Sequence, residues 1–358
     1  MRELYNKILN NINKIDFGSI WNGFDKYDFA LYTSTEVCFK DKTIPWDEHF
    51  IGCTAIKYDD RYIAIWNVEY DNFKSYNIDI DILSSNIVHE MFHAYQYDNE
   101  EKRFPQDLVA LDYPNNVYNF CLKYEENKIL AKALYEDNLT IKRQLIEKFY
   151  SLRISRQQII GDMRKCEYLL ETAEGMAEYV GTMALKQLTE KKYLERVYEY
   201  SRYLNDFSPL QLNIRMISYY SGAIFLIAAH DLGINFEHSL SGQSKTIFEI
   251  ITDGYKCIEI DELQLETDLI EKTINENISY KKETIHKFMQ SSDRIATSGD
   301  FYICGYDPMN MRKLDNKILC KTFVMLTNQN TNENIRLMGE TLLDMQKNSS
   351  NKVICYYR

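Results

Sequence analysis

Ile87-Val88-His89-Glu90-Met91-Phe92-His93-Ala94-Tyr95-Gln96 is the stretch from which the rest of this chain is read. It carries His-Glu-x-x-His in a run with no helix breaker. On an α-helix, residues four apart share a face, so His89 and His93 can present two imidazoles to one metal ion. Glu90 follows the first of them and can reach a water on that metal as general base. This is the ligand spacing of zinc peptidases. Val88, Met91, Phe92 and Ala94 carry no charge, so the helix can be buried, and buried His and Glu side chains need partners. The competing reading is two surface His beside a salt-bridged Glu.

Composition narrows the classes. The 358 residues allow one large domain or two ordinary ones, and 45% hydrophobic with 27% charged residues is a globular profile. The net charge of −11 argues against wrapping nucleic acid or docking on an anionic membrane. No apolar run reaches the ~18 residues that span a bilayer. The first residues lack the apolar core of a secretion signal. The eight Cys are scattered without a Cys-x-x-Cys pair, which points to reduced thiols and a cytoplasmic protein.

Upstream of the quoted stretch, Leu4, Ile8 and Ile12 recur at helical spacing. Strand-like runs follow at 27–32, 35–39, 51–56 and 62–68, broken by Gly18, Gly23, Pro45 and Asp59-Asp60. They read as one twisted sheet. Its last strand is either an edge that could take an extended peptide or an interior strand under the metal helix. Asp81 or Ser84 is expected to cap that helix, which runs to about Tyr97. Downstream, 104–161 reads as a helical block with surface ion pairs such as Glu125 with Lys128, and no chemistry is assigned to it. Gly161 ends the block. Further helices are expected over 191–234, 247–252 and 265–289. The tail reads as strands at 301–305 and 318–326, a helix within 335–345 and a last strand at 353–357. The expected class is α+β. A small twisted sheet and a mainly helical lobe occupy 1–292, and a small C-terminal α+β unit follows at 293–358, with the boundary near Ser292.

Catalytic zinc usually keeps three protein ligands and one water, so two His require a third. Glu167, Glu171, Glu174 and Glu178 sit at i, i+4, i+7 and i+11, which places four carboxylates on one face of an unbroken helix. Like charges so arranged cost stability unless water or a cation compensates them. The bland reading is a solvated acidic face. Ala173, Gly175, Met176 and Ala177 are small or apolar and would let a second helix approach closely. The residues alone leave Glu171 and Glu174 both open as the third ligand.

His89-Glu90-x-x-His93, Glu174-Gly175-Met176-Ala177-Glu178-Tyr179, and Tyr219 with Gly222 three residues on resemble a gluzincin metallopeptidase, the clan of thermolysin and aminopeptidase N. The resemblance covers about 62–235. It implies a zincin-like catalytic domain, bound Zn2+ and a peptide or protein substrate. It also implies Glu174 as third ligand, Glu178 steadying a ligand His, and Tyr219 stabilising the oxyanion, with Tyr220 as the alternative. Two departures stand out. Roughly 80 residues separate His93 from Glu174, so 104–161 would be an insertion that loops out and returns. The motif that grips a free substrate amine is absent, with Glu69 the nearest substitute, so endo- and aminopeptidase action both stay open.

The functional expectation is therefore a zinc metallopeptidase with Glu90 as general base. Two alternatives stand beside it. One is a non-catalytic metal- or partner-binding protein on the same scaffold; the other is a zinc amidohydrolase acting on a non-peptide amide. His230 reads as structural at a helix C-terminus. His49, His238 and His286 have no evident partners. No nucleophile elbow, phosphate loop or dinucleotide fingerprint is present.

Overall fold

Leu4, Tyr5, Ile8 and Ile12 form the buried stripe of the first helix, α1 (Arg2–Ile12). The computed structural model describes residues 1–69, 78–237, 240–260, 262–291 and 293–358. A single turn, α2 (Phe17–Ile20), comes next. The first sheet comprises β1 (Phe29–Tyr32), β2 (Glu36–Cys38), β3 (Thr43–Pro45), β4 (Thr54–Tyr58) and β5 (Arg61–Asn67). Their order is β3-β2-β1-β5-β4, with β1 and β5 parallel and the other pairs antiparallel. Pro45, expected as a break, is tolerated because β3 lies at the sheet edge. The strand at 61–67 is interior, so of the two alternatives the interior strand under the helix holds and the edge strand does not. Its Ile63, Ala64 and Ile65 are all buried, with Ala64 in the helical core and Ile63 and Ile65 in a second core on the opposite face. The outer strand beside it is β4.

The metal helix is α3 (Ile80–Asp98). Its cap is Asp79, whose carboxylate accepts from the amides of Asp81 and Ile82 at 3.0 and 3.1 Å. Neither expected residue is the cap. Asp81 binds Asn11 and Lys192, and Ser84 is buried within the helix.

Among the described residues ten further helices succeed it: α4 (Asp107–Ala110), α5 (Val117–Leu134), α6 (Leu139–Ser155), α7 (Gln157–Ile160), α8 (Arg164–Leu170), α9 (Met176–Leu188), α10 (Glu190–Asn205), α11 (Ile214–Asp231), α12 (Ile247–Ile251) and α13 (Thr267–Met289). Asn116, Asn138 and Asn213 cap α5, α6 and α11. Gly161, at φ +53°, ends α7 in a conformation that disfavours any other residue. The block at 104–161 does not loop out. Leu130, Ala131, Ile146 and Phe149 from α5 and α6 share one core with residues of α1, α3, α9 and α11.

Between α8 and α9 the chain makes a π-helical turn, Glu171–Gly175. Here it crosses α11 at very short range. A Cβ on Gly175 would lie 2.8 Å from the Gly222 Cα, and one on Gly222 would lie 2.7 Å from the Gly175 Cα. Both obstacles are backbone, so neither can yield by rotating. Gly222→Ala should therefore cost about 1–3 kcal/mol in urea unfolding. An unchanged midpoint would show that the two helices can separate freely.

The C-terminal sheet comprises β6 (Ala296–Tyr306), β7 (Met311–Leu314), β8 (Lys317–Cys320), β9 (Phe323–Asn328), β10 (Asn334–Met338), β11 (Thr341–Met345) and β12 (Lys352–Tyr357). It is antiparallel throughout, in the order β10-β9-β6-β12-β11-β8-β7. The helix expected within 335–345 is instead two strands. Gly339, at φ +84°, interrupts the run between them, a conformation no helix interior accepts. Among the described residues after 292 the only helical piece is the 3-10 turn Pro308–Asn310, so the unit is a β-sheet rather than α+β. Ser292, the expected boundary, lies outside the described residues. α13 covers part of the sheet, packing Ile285 and Phe288 with Leu319 and Leu342. Leu108 of α4 enters the core of the sheet, which seats the sheet against the helical part. The chain as a whole is mixed α+β. Among the described residues no helix is long and apolar enough to cross a membrane.

Candidate metal centre

α3 packs between β5 and α9 and turns His89 and His93 to the same side, with ring centroids 4.9 Å apart. One ligand atom from each of His89, Glu90 and His93 lies within 4.8 Å of the others. Glu174 arrives from the π-helical turn. Its Oε2 is 3.2 Å from His93 Nε2 and 3.7 Å from His89 Nε2. All four side chains are buried.

The outward ring nitrogens are already committed. His89 Nδ1 meets Glu178 Oε2 at 2.9 Å. His93 Nδ1 meets Gln96 Oε1 at 2.7 Å, and Gln96 Nε2 donates to the carbonyl of Ala173 at 3.1 Å. Because the Gln96 amide spends its N–H on that carbonyl, its oxygen must accept from His93. A neutral His93 then turns a bare Nε2 toward a carboxylate. Two acceptors facing each other in a buried site need a proton or a metal ion between them. Two imidazole nitrogens and one carboxylate oxygen, each oriented from behind, form a donor set that fits a metal ion.

The electrostatics arise from the same contacts. Burial opposes a charge on His89, but hydrogen bonds to Glu174 and Glu178 outweigh it and raise its pKa to about 10. Burial would also lift Glu174, but Arg215 first, and then His93 and His89, hold it well below the usual carboxylate range. Burial keeps the Glu90 pKa raised, against the pull of His89 and His93. A carboxylate with a raised pKa is a better proton acceptor.

The four carboxylates expected on one face do not share it. A π-helical turn inserts one residue and so rotates the helix beyond it by about 100°. Glu174, near the end of that turn, and Glu178 beyond it face the imidazoles. Glu171, at its start, and Glu167 before it enter a separate buried ion cluster. Arg153 holds Glu171 with two bonds, at 2.6 and 2.9 Å, and reaches Glu126 at 3.2 Å. Arg156 holds Glu126 at 2.8 and 2.9 Å and also pairs with Glu167. Lys123 meets Glu167 at 2.6 Å. Three cations thus match three carboxylates, and none of the six is exposed to solvent. The surface pair Glu125–Lys128 exists as expected, at 2.6 Å, but the buried charges of the same block were not anticipated.

Burial alone would raise the Glu167 pKa, yet Arg156, Lys123 and Arg153 hold it far below the ordinary 4.5. A carboxyl depressed in the folded state stabilises fully above its unfolded pKa. That stabilisation is lost as pH falls toward the folded value. Urea midpoints should therefore decline steadily as pH drops below 4.5. Glu167→Gln should start lower at neutral pH and decline less steeply. Parallel curves for the two proteins would contradict this assignment.

Tyr219 lies over His89, with centroids 5.7 Å apart and planes 6° from parallel. Burial and the Glu174 charge push its phenol pKa well above 10, so it stays a donor. Tyr220 packs between Tyr200 and Tyr203, at 4.7 and 5.0 Å, and lines the same cleft as Tyr219. Tyr200 donates to Glu178. Glu69 accepts from the Ser34 amide and hydroxyl in the β1–β2 turn. His49 pairs with Asp47 and His286 with Gln290; His230 lies in the last turn of α11, and His238 lies outside the described residues. A cleft of about 510 Å³ opens onto His89 and Glu90, walled by Trp66, Arg196, Glu199, Met216, Tyr219 and Met309.

Three residues of this centre were missed in the sequence: Gln96, Arg215 and Asp107. Gln96 sits three residues after His93 on the same helix face, a signal that was legible. Arg215 lies one turn before Tyr219, but its partners Glu174 and Asp107 are distant in the chain and give no local pattern. Comparisons with protein-family models, curated proteins and solved structures gave no match.

Proposed function

We propose that this chain is a zinc-dependent metallopeptidase of the gluzincin type, built on a zincin-like domain. The observation that carries the reading is the convergence of His89 Nε2, His93 Nε2 and Glu174 Oε2, with Glu90 beside them at the cleft. His89, His93 and Glu174 would hold the ion, with Glu178 and Gln96 fixing the two rings. Zinc bound by such a set polarises a carbonyl and lowers the pKa of a water to about 7. Glu90 accepts the proton of the attacking water and returns it to the leaving nitrogen. Tyr219 donates a hydrogen bond to the oxyanion as the carbonyl becomes tetrahedral. A purely structural metal site would have no use for a buried base at a cleft. All eight cysteines are free, which fits a reducing, cytoplasmic setting.

The test is metal analysis together with substrate profiling. The full chain, dialysed against zinc and then against buffer, should keep about one zinc per chain, the stoichiometry of a single three-ligand site. It should cleave members of a peptide library, stop when a chelator is added, and recover with zinc. Cleavage of small amides but no peptide would move the substrate to the amidohydrolase alternative. Failure to retain zinc would remove the proposal.

A further inference from the structure

Glu174 is held from behind by a contact that reaches the seat of the C-terminal sheet. Arg215, on α11, donates through Nη2 to Glu174 Oε1, the carboxylate oxygen not shared with the imidazoles. Through Nη1 it donates to Asp107, the first residue of α4. Tyr306, the last residue of β6, packs against the sheet core that Leu108, next to Asp107, enters. The guanidinium also lies 5.9 Å from the centre of the Tyr219 ring. This is where the sheet is seated. Met309, three residues past Tyr306, lines the cleft.

A glutamate side chain has three rotatable bonds, and a metal ligand must be held near one orientation. Here both oxygens are assigned: Oε1 to Arg215 and Oε2 to the imidazoles. Arg can serve two carboxylates at once because its donors lie in a rigid planar fork, which Lys lacks. One cation against Asp107 and Glu174 also leaves net negative charge facing the ring nitrogens, which favours a divalent ion.

We propose that Arg215 is a positioning residue that keeps Glu174 turned toward His89 and His93, and that Asp107, which shares its guanidinium, makes the seat of the C-terminal sheet part of that hold. The inference rests on the metal reading above. It assigns the seat of the tail a role in ion binding that no motif in the sequence indicates.

The test is zinc affinity of the purified full chain, measured by competition with a chromophoric chelator, alongside urea unfolding of each variant without zinc. Arg215→Met should weaken zinc binding by about 10–100-fold, the usual cost of removing an orienting partner. Arg215→Lys should recover only part of that loss. Asp107→Asn keeps the shape at the other arm of the fork but removes its charge, and should give a smaller loss with the fold intact. The double variant should bind no more weakly than Arg215→Met alone, because Asp107 acts through Arg215. A merely structural role would lower the unfolding midpoint and leave zinc affinity unchanged. Should Arg215→Met fail to fold, Arg215→Lys and Asp107→Asn carry the comparison. Affinities within about twofold of the unaltered chain, below the usual effect of an orienting partner, would overturn the positioning role. Losses that simply add in the double variant would overturn the relay. Absence of zinc binding by the unaltered chain would overturn the metal reading itself, a result that arm reports separately.

Discussion

Glu90→Gln should lower kcat for peptide hydrolysis by about 10²–10⁴-fold, the usual contribution of a general base, while zinc stays bound. Glutamine has the same shape but cannot accept the proton of the attacking water. The outcome also separates two carboxylates that lie close to the imidazoles. Glu90 is within ligand range of both rings, and Glu174 Oε2 is 3.2 and 3.7 Å from their Nε2 atoms. If Glu174 is the ligand and Glu90 the base, Glu174→Gln loses zinc and Glu90→Gln does not. The measurement is turnover of a fluorogenic peptide beside zinc content of the same samples. Retained turnover in Glu90→Gln would sink the role given to it, and lost zinc would exchange the two.

Arg156→Met should destabilise the chain by about 3–5 kcal/mol in urea unfolding, because it strips two buried carboxylates of one of the cations that hold them and leaves the cluster with excess negative charge. Glu126 would lose its bonds at 2.8 and 2.9 Å, and Glu167 would keep only Lys123 and the Tyr113 hydroxyl. Unlike an exposed pair, this cluster has no water to fall back on. Glu171→Gln should also destabilise, since it weakens the two-bond contact with Arg153, yet it should leave zinc content unchanged. Loss of zinc there would mean that the π-helical turn does not separate the two pairs of carboxylates. A cost below about 1 kcal/mol for Arg156→Met would class the cluster with exposed pairs.

The C-terminal region shows where local reading fails. Ile335-Arg336-Leu337-Met338 and Thr341-Leu342-Leu343-Asp344-Met345 contain enough apolar residues to satisfy a helical pattern. Only the pairing of β10 with β9 and of β11 with β8 and β12 decides for strands. Those partners lie elsewhere in the chain, so no short window contains them. The strand at 61–67 is a similar case. Its edge or interior position depends on whether β1, nearly thirty residues earlier, comes to lie beside it.

The sequence by itself determined the helix that carries His89, Glu90 and His93, because a spacing of four needs only helical periodicity to bring two rings to one side. It also determined that a carboxylate-rich helix lies further along the chain. Tertiary structure alone decided which of those carboxylates turns toward the rings. Glu167 and Glu171 are drawn to Lys123, Arg153 and Arg156, while a widened turn and the Gly175–Gly222 contact swing Glu174 to the imidazoles. Buried charges go where opposite charges are, and in this chain the opposite charges come from helices that meet only after folding.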